Sequence, residues 1–297
     1  LAISLTQAGV DHVLIDKLPA GLNTSRAAVV HAHTLEALDS LGVAKRLAAA
    51  GKKINRFSIR DRDRALVELS FDKLPSAFSY LLMIPQDATE RILSERLAEL
   101  GSPVHRGVGA MSIEHNRDGV RVWVNSGEGQ RAIDAKYVVG ADGMHSLVRQ
   151  TANIPFDGAR YEHSFVLADV SMAWERGRDE VMLFFSAAGP VVVAPLPNGN
   201  FRIVAAMEDA PETPQAHHIQ AILDAHGPSE GVRITDVAWS SRFRIHHRLA
   251  RKYRNGRLIV MGDAAHVHSP AGGQGMNCGL VDATVLGRIL AGVVSGS

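Results

Sequence analysis

The sequence predicts an α/β protein in which the two ends of the chain combine into one doubly wound sheet and the middle forms a second, mixed β-rich domain. Three observations carry this. Short apolar runs that lead into turns or helices stand towards both ends, at Val10–Asp16, Lys136–Gly140 and Gly256–Met261. Between helical segments, Met111 to Val139 alternates apolar and polar residues and carries turn signals, the pattern of an inserted β-meander. From about Ile154 to Trp239 the signals are mostly β, with Pro197-Asn-Gly-Asn200 as a strong hairpin turn. Residues 1–153 then form the first part of one domain, 154–245 the β-rich domain, and 246–297 the return segment of the first.

Each element has its own signal. Leu1 to Gly9 reads as the back half of a helix, with Leu1, Leu5 and Ala8 on one face and Gly9 as the stop. Val10–Asp16 follows as the second strand of a βαβ unit, so a first strand is expected upstream. Leu35, Leu38, Leu41 and Leu47 predict one helix from Ala32 to Ala49. A second runs from Ala88 to Leu100, with Asp87 as cap, Glu90 as capping-box partner and a stripe of Ile92, Leu93, Leu97 and Leu100. In the meander, Val120, Val122 and Val124 alternate with Arg121 and Trp123. A helix is expected from Ser146, strands over Ser164–Ala173, Glu180–Ser186 and Pro190–Glu208, a helix over Gln215–His226, and a last helix from about Met276.

Composition narrows the function. Lysine plus arginine number 32 against 31 aspartates and glutamates, so no overall positive field gathers nucleic acid or an acidic membrane surface. The single cysteine, Cys278, excludes an internal disulfide and a multi-cysteine zinc site and suits a reducing cytoplasm. No apolar run of the roughly 20 residues that cross a bilayer is expected in the chain. A soluble, cytoplasmic enzyme is the expectation.

Three motifs point to chemistry. Asp16 ends its strand where such sheets bind ligands, and its carboxylate can accept hydrogen bonds from a ribose diol; as an ordinary cap or turn residue it would look the same. Tyr137-Val-Val-Gly-Ala-Asp-Gly143 leads into a helix start at Ser146 that can offer N–H groups to phosphate, or can be a tight turn with a capping serine. The strongest is Gly256 to Ala283: a buried strand delivers Asp263 to the sheet edge, Gly272, Gly273 and Gly275 permit close approach of a flat ligand, and the helix from Met276 aims its positive end at negative charge. His266 and His268 stand two apart, and with no acidic or cysteine partner expected nearby a metal site is not expected. His246-His247 reads as surface and Cys278 as packing.

These motifs, in this order, resemble those of the FAD-dependent aromatic hydroxylases, the group A flavoprotein monooxygenases similar to para-hydroxybenzoate hydroxylase. The resemblance implies a glutathione reductase-type, FAD-binding Rossmann-like sheet and assigns Asp16 to the adenosine ribose. It places Arg26 and Gln86 at the pyrophosphate and ribityl region and Ala110 beside adenine. Asp142, Gly143, Ser146 and Arg149 match the Asp-Gly motif, Gly262 and Asp263 the Gly-Asp motif for the ribityl chain. Pro270, Gly272, Gly273, Gly275, Met276 and Asn277 match the loop against the isoalloxazine. The family's first strand and glycine loop do not appear in the sequence. The implied activity is hydroxylation of a small aromatic, phenolic compound by O2, with NADPH or NADH as co-substrate, through a flavin C4a-hydroperoxide. It implies no side-chain catalyst, and a homodimer is one possible state. Alternatives on the same scaffold are an epoxidase or antibiotic-inactivating monooxygenase, or a non-catalytic remnant.

Overall fold

The computed structural model describes residues 1–21, 27–115, 119–174, 177–186, 189–229 and 231–296. The chain opens with helix α1 (Ala2–Gln7), which ends where Gly9 takes a φ of +68°. Strand β1 is confined to Ile15–Asp16, with Val13 and Leu14 exposed, so the buried strand expected over Val10–Asp16 is hydrogen-bonded only at its end. Its one strand partner among the described residues is a later strand.

After β2 (Val29–Val30), the single helix expected over 32–49 is two helices, α2 (Ala32–Asp39) and α3 (Ala44–Ala50). Gly42, at φ +77°, breaks the helical path, while Leu35, Leu38, Leu41 and Leu47 all stay buried. Strand β3 (Lys52–Ile54) and the hairpin β4 (Arg56–Asp61) and β5 (Arg64–Ser70) carried no recognised signal, and β6 (Leu81–Met83) is wholly buried. Helix α4 (Gln86–Glu99) starts two residues before its expected position, directly after Pro85. Asp87 therefore lies in the first turn rather than at the cap, no side chain caps the helix, and Glu90 instead accepts from Gln86 Nε2 at 2.8 Å.

Strand β7 (His105–Arg106) pairs parallel with β1. The meander is present as β8 (Gly109–His115), β9 (Val120–Ser126) and β10 (Gly129–Ala135), with Val120, Val122 and Val124 turned into the core. Then come β11 (Val138–Gly140), α5 (Leu147–Thr151), and the β-rich run of β12 (Phe156–Ala173), β13 (Glu180–Ser186), β14 (Gly189–Pro195) and β15 (Phe201–Met207). Helix α6 (Ala216–His226) leads to an 18-residue strand, β16 (Arg233–Ala250), which absorbs His246 and His247. The chain closes with β17 (Arg254–Asn255), β18 (Leu258–Val260), β19 (His266–Val267) and the 22-residue helix α7 (Gln274–Ser295).

Strands β12 to β16 build most of an eight-stranded sheet in the order β19-β16-β12-β15-β14-β13-β4-β5, which thus recruits a hairpin from residues 56–70. Side chains alternate across it. Met182, Phe184, Val191 and Val193 pack under α6, and Val181 and Ala194 face the sheet of β2, β6 and β3. The remaining strands include two parallel pairs, β1 with β7 and β11 with β18, whose apolar residues share a core with the meander: Ile15, Val108, Val138, Val148, Val260 and Ala264 form one cluster.

Helix α7 is long and apolar enough, by length and composition, to cross a membrane, which the sequence reading had not anticipated. Here it packs on α1 and α2, and it carries Asp282 hydrogen-bonded within the protein. A long core helix passes the same test.

Candidate cofactor site

Parallel strands leave their carboxyl ends as the natural place for a ligand, because the turns that follow expose backbone N–H groups and carry the first polar side chains. Here three of the four strands in the two parallel pairs, β1, β11 and β18, end at or just before a carboxylate: Asp16, Asp142 and Asp263. Asp16 ends β1. Its Oδ2 accepts from Arg106 Nη1 at 2.7 Å, across the strand pair, and its Oδ1 accepts from the Leu18 N–H at 2.9 Å. The pair is about one-third exposed on each side, so it is worth little to folding and open to exchange for a ligand hydroxyl. Beside it is an open cleft of about 500 Å³ lined by Lys17, Gly107, Gly109, Ala110 and Asn125 among others, which puts the Ala110 backbone next to the Asp16 end.

The turn after β11 is built differently from one of the two readings the sequence allowed. Ser146 caps α5, accepting from Arg149 N at 2.9 Å, and Asp142 Oδ2 accepts from Leu147 N at 2.7 Å and Val148 N at 3.3 Å. The first N–H groups of α5 are therefore already occupied within the chain and do not await a phosphate. Gly143, at φ +77°, lets the loop turn so that Asp142 reaches them. Arg149 is buried, and its guanidinium donates to Met144 O at 2.7 Å and Ala264 O at 2.8 Å and lies 3.9 Å from the Phe156 ring centre. Burial pulls its pKa down, opposed by Asp142. Arg149 thus ties the turn after β11 to the turn after β18 from a buried position.

The turn after β18 is a short helical turn, Gly262–Ala264, with Gly262 at φ +55°. Asp263 is exposed and already engaged within the chain. Past Pro270, Gly272 and Gly273 take φ values of +79° and +63°. A Cβ on Gly273 would stand 2.1 Å from Val29 Cγ1, so only glycine fits between β2 and the start of α7. No side chain caps α7, and its first turn holds no acidic residue. Gly275 is open on its side-chain face, with His268 at 4.0 Å from the position of a Cβ, and Met276 packs inward against the cluster of Leu35, Leu38 and Ile84.

Asn277 holds this loop together. It is buried, its Oδ1 accepts from His31 N at 2.9 Å, and its Nδ2 donates to Val29 O at 2.9 Å and Gly273 O at 2.7 Å. His31 adds a bond between its Nε2 and Gly272 O at 2.9 Å; the sequence had given no sign of this residue. Burial lowers the His31 pKa, partly offset by that bond. Gln86 sits at the start of α4, its Oε1 3.4 Å from the Ala27 N–H, and Val29 two residues on packs against Gly273. Arg26 lies outside the described residues. No group of three or more His, Cys, Asp or Glu side chains is arranged to hold a metal among the described residues. His266 nevertheless has an acidic partner that sequence distance concealed: Asp282, 2.7 Å from its Nε2.

The predicted residues thus gather into three linked groups: Asp16 with Ala110; Asp142, Gly143, Ser146 and Arg149 with Gly262 and Asp263; and Gln86 with Pro270 to Asn277. The arrangement suits an extended, anionic nucleotide. It has a carboxylate at one end, turns on positive-φ glycines in the middle, and an uncapped helix start at the other.

Comparison with known proteins agrees. A family described as "FAD binding domain" matches residues 1–297. An uncharacterized aromatic compound monooxygenase of Bacillus subtilis is 35% identical, over all of this chain and 60% of its own length. A 6-methylpretetramide 4-monooxygenase of Streptomyces rimosus is 36% identical, over all of this chain and 54% of its own. The solved structure of an anhydrotetracycline hydroxylase from Streptomyces rimosus superposes with a TM-score of 0.78 at 31% identity, covering 99% of this chain and 60% of that one. The chain therefore spans little more than half the length of these relatives.

Proposed function

Since this chain belongs to the FAD binding domain family, matched from end to end, we propose that it forms the flavin-holding body of an NAD(P)H-dependent monooxygenase that hydroxylates a small aromatic compound. The observation that carries the reading is the contrast between two helix starts. In α5 the first N–H groups are taken by Asp142 and Ser146, whereas the much longer α7 opens on glycine with no side-chain cap. A 22-residue helix whose positive end is left uncovered beside a glycine loop is a place for negative charge.

On this reading Asp16 holds the adenosine ribose, the Ala110 backbone meets adenine, Asp263 and Gln86 hold the ribityl and pyrophosphate region, and Pro270 to Met276 lie against the flavin ring. Arg149, Gly143, Ser146, Asp142 and Asn277 keep the two loops in register. The chemistry that FAD supplies when bound is acceptance of hydride from NADPH or NADH and transfer of one atom of O2 to the aromatic ring. The protein's share is orientation, exclusion of water and the field of α7.

The aromatic substrate is assigned to the face of the large sheet that carries Val192. Val192 and Ala194 share an apolar cluster with Val29, and Val29 packs on Gly273, so this face adjoins the proposed ring-binding loop. Further along it, the rings of Phe165 and Phe243 lie 5.8 Å apart. The test is FAD uptake followed by NADPH or NADH consumption with a panel of phenols under labelled O2. Aromatic-dependent consumption with label in a hydroxylated product supports the proposal. A flavin-loaded protein whose consumption no aromatic compound stimulates, and which yields no labelled product, refutes the hydroxylase assignment.

A further inference from the structure

Asp282 stands on α7 and has none of the roles given above, yet its carboxylate reaches back to the turn that carries Asp263. One oxygen, Oδ2, accepts from the Gly262 N–H at 3.1 Å and pairs with His266 Nε2 at 2.7 Å. The approach is possible because helix and turn meet through glycine on both sides: a Cβ on Gly279 would stand 3.4 Å from the Gly262 Cα. Asp282 follows Gly279 by three residues and so lies on the same helix face. His266 is itself fixed in the ladder between β19 and β16, opposite Leu249, and its ring centre is 6.2 Å from that of Tyr253. The His266 side chain is 13% exposed and that of Asp282 27%, sheltered enough for a charge-assisted hydrogen bond to hold its geometry.

The helix packs on α1, α2 and the Gly262–Ala264 turn itself, and Asn277 clamps its first turn to β2. What Asp282 adds beside the glycine contact is a hydrogen-bonded tie between the Gly262–Asp263 turn and the helix. Resting on the FAD reading, we propose that Asp282, oriented by His266, is a positioning residue that sets the spacing between this turn and the start of α7, so that both meet one flavin nucleotide.

The experiment compares wild type with Asp282→Ala, Asp282→Asn and His266→Ala by hydrogen exchange and by FAD titration. In the protein without added FAD, Asp282→Ala should speed exchange over residues 261–266 by at least about tenfold, as expected for loss of a hydrogen bond to a charged acceptor, while residues 189–207 stay unchanged. FAD affinity should fall by a similar factor and the visible bands of the bound flavin should shift, whereas Asp282→Asn, which keeps an acceptor for Gly262, should remain within about threefold of wild type. His266→Ala should fall between the two. Unchanged exchange at residues 261–266 in Asp282→Ala overturns the brace. Faster exchange there with wild-type FAD affinity and spectrum reduces Asp282 to a packing role and overturns its part in cofactor positioning. A wild-type protein that takes up no FAD while the exchange result holds is a failure of the FAD reading itself, and the positioning proposal falls with that premise.

Discussion

At the scale of single residues, the site separates side chains that hold the loops from side chains free to meet a ligand, and the two kinds make opposite predictions. Asp16 is of the second kind. Its pair with Arg106 is partly exposed, so Asp16→Ala should change stability by no more than about 1 kcal/mol. FAD affinity should drop by about tenfold or more through loss of hydrogen bonds to the ribose, and isothermal titration beside urea denaturation reads both. Asn277 is of the first kind. Its replacement by Ala strands the Val29 and Gly273 carbonyls and the His31 N–H in a buried setting, and should cost at least about 2 kcal/mol in urea denaturation. His31 adds a pH dependence. Because burial lowers its pKa in the folded protein, the unfolded chain binds the extra proton first; the His31 contribution is intact above the ordinary imidazole value of about 6.5 and is lost as pH falls from there towards the lowered folded value. The wild-type denaturation midpoint should fall more than that of His31→Gln over this window, and parallel curves would contradict the assignment.

At the scale of elements, periodicity and turn chemistry were legible where the cause is local. Alternating valines gave β9, and Ser146 was a recognisable cap of α5. Non-local causes were not. Helix α2 was merged with α3 because the leucine spacing continues smoothly through Gly42, and only the φ of +77° breaks the helix. The Asp87 and Glu90 capping box fitted the spacing, but Pro85 sets the helix start earlier and turns Glu90 to Gln86. Hairpin β4–β5 has no internal apolar face strong enough to announce it, since its edge strand is almost wholly exposed and it is defined by pairing with β13. The loop before α7 shows where the glycine signal was sound: Gly273→Ala meets Val29 Cγ1 at 2.1 Å and forces a positive φ. That variant should lose about 1–3 kcal/mol of stability and FAD binding with it, measured by denaturation and fluorescence titration; a Gly273→Ala protein with wild-type stability would show that the loop is slack.

At the scale of the whole molecule, the residues named from sequence lie far apart in the chain, and what joins them is a set of internal bonds that no motif discloses. Arg149 reaches Ala264, Asn277 reaches Val29 and His31, and Asp282 reaches Gly262 and His266. The motifs mark Arg149, Asn277 and Gly262 but not their partners Ala264, Val29, His31 and Asp282, because a polar residue beside a glycine turn looks the same whether it serves the loop or its occupant. The central claim is that these turns surround a single extended flavin nucleotide. The most direct measurement is a crystal structure of the protein with FAD. It should show the adenosine at Asp16 and the Lys17–Ala110 cleft, and the flavin ring against Gly272–Met276 at the start of α7. Saturating FAD found away from those turns, or contacting only one of them, would contradict it.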